Sequence, residues 1–255
     1  MNGSNIESTK GLNSLSLRVI AMIAMLGDHM WFTIVEGNDW LTYVGRIAFP
    51  IFAFLLVEGF YHSSNRGKYF SRLFIFAIFS ELPFNLMVNG TFAYSKHQNV
   101  LWTLLIGLLV MMVIEIVRNK LDNVMVTGIV TIVVSYFGYY IATSSVVDYS
   151  GYGILTIVLF YTCYNLRYAW IGQLIGLIYI NCFMLIGQTI PLHLFGNTFE
   201  LPIQSFAILS LFFIWKYNKQ LGPHNKYAQY SFYLFYPLHM LILAILVFYN
   251  VQLVF

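Results

Sequence analysis

Charged residues are scarce in this chain of 255 residues: only 9% are Asp, Glu, Lys or Arg, whereas 59% are hydrophobic and 18% aromatic. Soluble domains usually carry about 25% charged residues. The composition therefore excludes an ordinary soluble protein and predicts a polytopic membrane protein. The net charge is only +3, and without a basic soluble domain nothing indicates nucleic-acid binding.

Cysteine is nearly absent as well. Cys163 and Cys182 both lie inside apolar runs, where a free cysteine behaves as a small hydrophobe, so no disulfide framework is predicted. No HExxH motif or cysteine pair is present, and no metal is expected.

No small-residue cleavage site follows the first apolar run, which predicts a retained helix rather than a signal peptide. The predicted organisation is a disordered polar tail over residues 1–14 and one membrane domain over 15–255.

Apolar runs of about 20 residues, long enough to cross a bilayer, fill most of the chain. They predict an all-α membrane helix bundle with about nine spans, and eight or ten spans also fit the pattern. The predicted spans lie near residues 15–36, 44–62, 69–88, 100–117, 123–142, 151–166, 168–188, 201–217 and 229–250.

Basic residues accumulate on one side of these spans. Eleven of the thirteen Lys and Arg residues fall in one set of alternate loops, and only Arg46 and Lys96 fall on the other side. Because cytoplasmic loops are enriched in Lys and Arg, the N-terminus is predicted to be cytoplasmic and the protein to lie in the cytoplasmic membrane.

Ionisable residues within the spans are the strongest functional signal. Asp28 and His29 lie in the first span, Glu81 in the third and His239 in the last, all predicted near mid-depth. A charge at that depth costs roughly 2.5 to 3.5 kcal/mol on insertion scales, which makes these four residues candidates for catalysis. A histidine oriented by a carboxylate is the usual general base. Adjacent helical residues point about 100° apart, so the partner of His29 stays open between Asp28 and Glu81.

A second polar group lies toward the basic ends of the spans. Glu58 and His62 are four residues apart and share a helix face, and Arg66, Lys68 and Arg72 follow them. Two interpretations stay open. The basic residues either anchor the topology or bind phosphate, because guanidinium forks match phosphate oxygens.

Other polar residues have simpler interpretations. Glu115 and Arg118, three residues apart, are predicted to form a surface ion pair. Gln173 and Asn181 are expected to bond between helices. Asp148 precedes a Ser-Gly turn, where it either caps a helix or contributes to acceptor binding.

At these residues the chain resembles the TraX family of integral membrane proteins, whose founding activity is N-terminal acetylation of conjugative pilin. The matching stretches run in order over nearly the whole chain: DHM, RIAFPIFAFLLVEGFYHS, SELPFN, NVLWT, DYSGYGIL and FYLFYPLH. Arg18 and His29, with ten residues between them, also resemble the signature of the wider integral membrane acyltransferases. The paired-arginine motif of those wider families, with two intervening residues, does not occur in this sequence.

The resemblance implies acetyl-coenzyme A as a donor on the cytoplasmic side, with membrane lipids and a cell-envelope or exported acceptor as partners. Asp28 and His29 become the catalytic pair, with Glu81 or His239 assisting proton transfer. The coenzyme candidates are Arg18, Glu58, His62, Arg66, Lys68 and Arg72. The acceptor candidates are Arg46, Asn85, Asp148 and Tyr236.

The predicted function is transfer of acetyl to an amine or hydroxyl of a surface polymer, a lipid-linked sugar or an exported peptide. Ping-pong and ternary-complex schemes are both compatible with the sequence. The alternative is a proton-coupled transporter, in which the same buried carboxylates and histidines form a proton relay. No inverted repeat of the kind found in many transporters is visible. The sequence does not indicate an oligomeric state.

Overall fold

The computed structural model describes residues 10–194, 196–222 and 226–253, most of which are helical. The chain also contains a π-helical segment, Tyr179–Met184, and a 3-10 segment, Ile203–Leu209. The α-helices are α1 (Ser14–Thr33), α2 (Trp40–Gly45), α3 (Ala48–His62), α4 (Arg66–Asn89), α5 (Val100–Leu121), α6 (Val124–Ser144), α7 (Ser150–Cys163), α8 (Ala169–Ile178), α9 (Ser210–Ile214) and α10 (Lys226–Phe248).

Six helical segments within the described ranges are long and apolar enough to cross a bilayer. Three shorter apolar segments lie where the sixth, seventh and eighth spans were predicted: Ser150–Cys163, Ala169–Met184 and Ile203–Ile214. The mostly helical fold, with several helices able to cross a membrane, is therefore confirmed. Nine complete spans and a cytoplasmic N-terminus stay predictions.

One end of the bundle, named the basic face, collects the chain near residues 10–13, 62–66, 121–124, 164–168 and 215–222. Leu12 forms a parallel backbone bridge with Tyr217 there. Asn13 caps α1, because its side chain accepts from the backbone N–H of Ser16 at 2.9 Å. The disorder predicted for residues 1–14 is therefore wrong from residue 10 onward, and residues 1–9 lie outside the described ranges.

The other end, named the opposite face, collects the chain near residues 34–39, 90–99, 145–149, 185–202 and 249–253. Two backbone bridges join segments at this end, Val35 with Leu253 and Gln98 with Val147. Successive apolar segments thus run alternately between the two faces. This is the alternation that the distribution of Lys and Arg predicted.

An antiparallel hairpin replaces the loop predicted between the seventh and eighth spans. Strands β1 (Thr189–Leu194) and β2 (Asn197–Pro202) pair with Thr189 opposite Pro202. The backbone N–H of Ile203 donates to the carbonyl of Gln188 at 2.9 Å and closes the hairpin base. The all-α prediction is wrong here. The signal for strands was the alternation of apolar and polar residues in TIPLHL and NTFELP, a period of two.

Close helix contacts at the centre of the bundle depend on small residues. Gly107 of α5 lies so near α7 that a Cβ atom on it would overlap the side chain of Ile157. Ile157 and the neighbouring Leu108 are both fully buried. Small residues let membrane helices approach in this way, so this glycine sets the distance between α5 and α7.

We expect Gly107→Ala to destabilise the protein. An alanine in mid-helix normally gains about 0.5–1 kcal/mol over glycine, but overpacking of a buried contact costs about 1–3 kcal/mol. Gly128→Ala is the matched control, since a Cβ on Gly128 has no other atom within 4 Å. Thermal unfolding in detergent compares the two variants. A Gly107→Ala variant as stable as Gly128→Ala would contradict the packing argument.

Candidate functional site

The centre of the candidate site is a pair of histidines from the first and last helices. Nδ1 of His29 lies 2.8 Å from Nε2 of His239, and the two rings stack with centroids 5.0 Å apart. Nδ1 of His239 lies 2.8 Å from the backbone carbonyl of Phe235. Tyr236, a predicted acceptor residue, is buried with its ring centroid 5.8 Å from that of His239.

The hydrogen-bond partners assign the tautomers of both histidines. A carbonyl only accepts, so Nδ1 of His239 carries a hydrogen and donates it to Phe235. In a neutral His239, Nε2 then holds a lone pair and accepts from Nδ1–H of His29. A neutral His29 consequently has its own lone pair on Nε2. The chain of hydrogen bonds therefore leaves a basic nitrogen at one end.

Asp28 contacts a different partner from the one predicted. Its Oδ1 accepts from the Arg46 guanidinium and, at 2.6 Å, from the hydroxyl of Thr42. Because Asp28 and His29 point about 100° apart on α1, the carboxylate faces α2 and the start of α3. The predicted Asp28–His29 pair is therefore not a contact pair. Instead, Asp28 compensates the charge of Arg46.

Glu81 is also held away from His29. Its Oε2 accepts from the Trp102 indole N–H at 2.9 Å and from the Asn99 amide. Its Oε1 and the Oδ1 of Asn85 are buried without a hydrogen-bond partner among the described residues. Neither carboxylate considered from the sequence is the partner of His29, which bonds to a second histidine instead.

A cavity of about 320 Å³ opens at the opposite face, beside the Asp28–Arg46 pair. This volume lies at the lower end of the range for small-molecule sites. Polar groups are concentrated in its wall, together with two aromatic rings. The lining residues are Asp28, Trp31, Thr42, Arg46, Asp148, Tyr149, Leu185, Ile186, Gly187, Gln188, Ile203 and Gln204. Arg46 and Asp148, both predicted to bind acceptor, thus line one cavity.

Asp148, one of the lining residues, also interacts with residues outside the cavity. Its Oδ1 accepts from the backbone N–H of Tyr149 at 3.0 Å and lies 3.5 Å from Nε2 of His97. Its charge also interacts with Arg46 and His29. Tyr149 is the cap residue of α7, so the interpretation of Asp148 as the helix cap is wrong.

Near the basic face, Glu58 is a buried carboxylate held by two tyrosines. It accepts from the hydroxyl of Tyr164 at 2.6 Å and from that of Tyr217 at 2.8 Å. His62 lies 3.4 Å away and is largely exposed. Glu58 and His62 are therefore brought together as their spacing predicted, with Glu58 already bonded inside the bundle.

Glu115 forms a second buried carboxylate cluster. It contacts Arg118 at 2.6 Å and Arg66 at 3.5 Å, and it accepts from the Tyr161 hydroxyl at 2.8 Å. Arg66 also lies over the ring of Phe60. The predicted Glu115–Arg118 ion pair is therefore present, but Glu115 is only 5% exposed, so the prediction that the pair lies at the surface is wrong for the carboxylate. Arg66 is committed to this cluster rather than to the Glu58–His62 pair.

The remaining coenzyme candidates lie along α1 and α4. Arg18 lies over the Phe232 ring and Arg72 over the Tyr69 ring. Both guanidinium charges interact with Tyr69. Lys68 is exposed. Two of the predicted cations, Arg18 and Arg72, thus each lie over an aromatic ring.

Several residues of these clusters were missed from the sequence. Thr42 lies four residues before Arg46, so a shared helix face was a usable signal. Trp102 lies inside the NVLWT stretch already singled out. Tyr164 and Tyr217 are brought to Glu58 by the fold, from positions 106 and 159 residues away, and no local pattern pointed to them.

Comparison with known proteins gives the following relatives. The family model described as TraX protein matches residues 14–247. The probable fimbrial assembly protein FimC, serogroup H1, of Dichelobacter nodosus is 26% identical over 243 residues, which cover 91% of this chain and 94% of that protein. No solved structure matches the chain.

The contact between His97 and Asp148 predicts a pH dependence. The pKa of His97, in the loop before α5, is raised by its hydrogen bond to Asp148, with further contributions from the charges of Asp148 and Glu81 and an opposing effect of burial. The protonated form therefore adds stability below about pH 6.5. This contribution is lost as the pH rises through the raised pKa of the folded protein.

Thermal stability measured against pH, for the unmodified protein and for His97→Gln, checks this expectation. The unmodified protein should have its advantage at about pH 5.5 and lose it toward alkaline pH. His193→Gln is the control, because His193 lies exposed in the hairpin beside the Thr198 hydroxyl. A difference between the unmodified protein and His97→Gln that does not change with pH would contradict the assignment.

Proposed function

This chain belongs to the TraX family, and on that premise we propose that it is an integral membrane acyltransferase. The proposed reaction moves acetyl from acetyl-coenzyme A to an amine or hydroxyl of an acceptor in the cell envelope. The single observation that supports it most is the hydrogen-bonded chain from Phe235 through His239 to His29. That chain supplies what acyl transfer needs, a general base with a defined tautomer.

In the proposed step, Nε2 of His29 accepts the proton of the acceptor amine or hydroxyl while the acceptor atom attacks the thioester carbonyl carbon. A new bond from nitrogen or oxygen to carbon forms, and the carbon–sulfur bond breaks. The leaving thiolate then takes the proton from Nε2 of His29. His239 stays neutral throughout and holds the Nδ1–H of His29, the part that a carboxylate plays in the usual triad.

The surroundings of His29 act on a transient imidazolium in both directions. Burial of the ring, His239 and Arg46 oppose the positive form, whereas Asp148 favours it. Asp28 offsets the effect of Arg46 because it is paired with that guanidinium. In this proposal Asp28 acts on the base indirectly, by neutralising a nearby cation, and does not itself orient the imidazole.

The donor side of the proposal rests on the basic face. Arg18 lies over the Phe232 ring and Arg72 over the Tyr69 ring, and guanidinium groups near aromatic rings suit the phosphates and adenine of a coenzyme. Arg66 is a weaker candidate than its sequence suggested, because Glu115 already compensates its charge.

The acceptor side rests on the cavity at the opposite face, which holds Arg46 and Asp148. The relative from Dichelobacter nodosus is named for fimbrial assembly. This name favours an exported peptide over a surface polymer or a lipid-linked sugar as the acceptor.

We expect His29→Ala to lose about 10²–10⁴-fold in transfer rate, the usual contribution of a general base. His239→Leu should also lose rate, because it removes the acceptor for Nδ1–H of His29. His239→Gln should recover part of that loss, since its amide oxygen can accept the same hydrogen bond. The measurement is transfer of labelled acetyl from acetyl-coenzyme A to a cell-envelope extract.

His193→Ala is the control, because it removes an exposed histidine of the hairpin, beside the Thr198 hydroxyl. All variants are first checked for helical content and for a single species in detergent. Full activity of a folded His29→Ala variant would sink the assignment of the base. Equal activity of His239→Leu and His239→Gln would instead refute the tautomer argument.

Coenzyme A is expected to raise the melting temperature of the purified protein, because a ligand that binds only the folded state stabilises it. The double variant Arg18→Gln, Arg72→Gln should lose most of this shift. Arg167→Gln is the matched control, since Arg167 also lies over a tyrosine ring, that of Tyr168. An absent shift in the unmodified protein, together with substrate-dependent proton flux in liposomes, would favour the transporter alternative.

A further inference from the structure

The helices on either side of the β1–β2 hairpin are too short to carry it clear of the membrane. The segment Ala169–Met184 contains 10 α-helical and 6 π-helical residues, which span roughly 24 Å at 1.5 Å per residue. The return segment Ile203–Ile214 spans roughly 22 Å. A hydrocarbon core is about 30 Å thick.

Basic residues mark the membrane boundary from which both segments are measured. Arg167 lies two residues before the first segment and Lys216 two residues after the second, and such residues mark a membrane boundary. Trp170 and Trp215, which contact each other edge to face, lie at the same level. Both segments therefore end short of the opposite boundary. Because β2 ends at Pro202, directly before the second segment, the base of the hairpin lies at that level.

The hairpin itself has one apolar side and one polar side. Its register puts the side chains of Ile190 and Leu192 on the same side as their partners Leu201 and Phe199. Leu192 is 38% exposed and Phe199 is 54% exposed. This apolar side follows directly on the exposed apolar residues Phe183 and Ile186, which precede β1.

On the polar side of the hairpin, the side chains form hydrogen bonds with one another. Thr189 donates to the Glu200 carboxylate at 2.6 Å, and the His193 ring bonds to the Thr198 hydroxyl at 2.9 Å. Glu200 is the one formally charged side chain between residues 189 and 202. Strand edges that face water usually carry several charged side chains, and this strand pair does not.

Two prolines reduce the number of unpaired backbone donors on the hairpin. Pro191 lies opposite Glu200 and Pro202 lies opposite Thr189. The two pairs are two residues apart, so both are of the same type in the ladder, which alternates hydrogen-bonded and non-hydrogen-bonded pairs. Because proline has no N–H, both are non-hydrogen-bonded pairs, in which the N–H positions face outward. Each outer edge thus lacks one donor near the hairpin base. This loss lowers the cost of contact with lipid and disfavours addition of another strand.

We infer that the β1–β2 hairpin lies in the interfacial layer of the bilayer at the opposite face, with Leu192 and Phe199 against lipid. Gln188 and Ile203, at the base of the hairpin, both line the cavity beside Arg46. The cavity mouth is consequently bordered by lipid on this side. An acceptor carried by the membrane, such as a peptide or sugar with an apolar anchor, reaches it without crossing bulk water.

The test uses single nitroxide labels on cysteines placed in the hairpin of the full chain, reconstituted in liposomes. The background carries Cys163→Ala and Cys182→Ala. Labels at positions 192 and 199 should collide more often with oxygen, which concentrates in lipid, than with a water-soluble nickel chelate. Labels at positions 193 and 198, on the polar side of the same strands, are the matched controls and should show the reverse ratio.

Two other results would overturn the inference. Nickel-favoured collisions at both 192 and 199 would place the hairpin in water. Low collision rates with both reagents at these positions would show that a protein, a second copy or a bound partner, covers the apolar side. If labelling disturbs the fold, Phe199→Trp and Thr198→Trp replace it, and brominated lipid should quench the added fluorescence of Phe199→Trp alone. These readouts do not involve acetyl transfer, so they stand apart from the proposed function.

Discussion

The hydrogen bond between His29 and His239 joins side chains 210 residues apart in the sequence and is the interaction on which the proposed chemistry depends. An imidazole within a membrane helix has no water to satisfy it, so another helix must supply the partner. Here the carbonyl of Phe235 fixes the hydrogen on His239, and His239 fixes the hydrogen on His29. One buried constraint therefore sets both the contact between α1 and α10 and the position of the basic nitrogen.

The requirement that buried polar groups find hydrogen-bond partners also distinguishes residues that stabilise the bundle from candidates for catalysis. Glu58 and Glu115 are buried. Glu58 accepts from two tyrosine hydroxyls and Glu115 from one, and Arg118 and Arg66 also contact Glu115. Carboxylates satisfied in this way hold helices together and have little capacity left for a ligand. His29 differs because its Nε2 lone pair stays available in the assigned tautomer. The depth of an ionisable group in the membrane is therefore a weaker guide to catalysis than the hydrogen-bonding capacity that its neighbours leave unused.

This distinction explains how much of the fold and of the candidate site could be predicted from the sequence. Apolar run length and the distribution of basic residues were sufficient for the helical membrane class and for the alternation of the chain between two faces. They also singled out Asp28, His29, Glu81 and His239. They did not identify partners, because helical spacing orients a side chain only about its own axis, and the rotation of the neighbouring helix decides the contact. The hairpin was missed for a related reason: in so apolar a chain, alternation over six residues is hidden by the long hydrophobic runs.

The position of His29 along α1 gives the proposed reaction a direction. His29 lies four residues before the end of α1 at Thr33, roughly 6 Å from the opposite face, and eleven residues after Arg18, roughly 16 Å away. The proposed base therefore lies nearer the opposite face than the mid-depth position predicted from the sequence. A donor held by its phosphates at Arg18 must extend an acyl group along most of the helix to reach His29. Acetyl-coenzyme A, with phosphates at one end of a long flexible arm and the thioester at the other, is a donor suited to that separation.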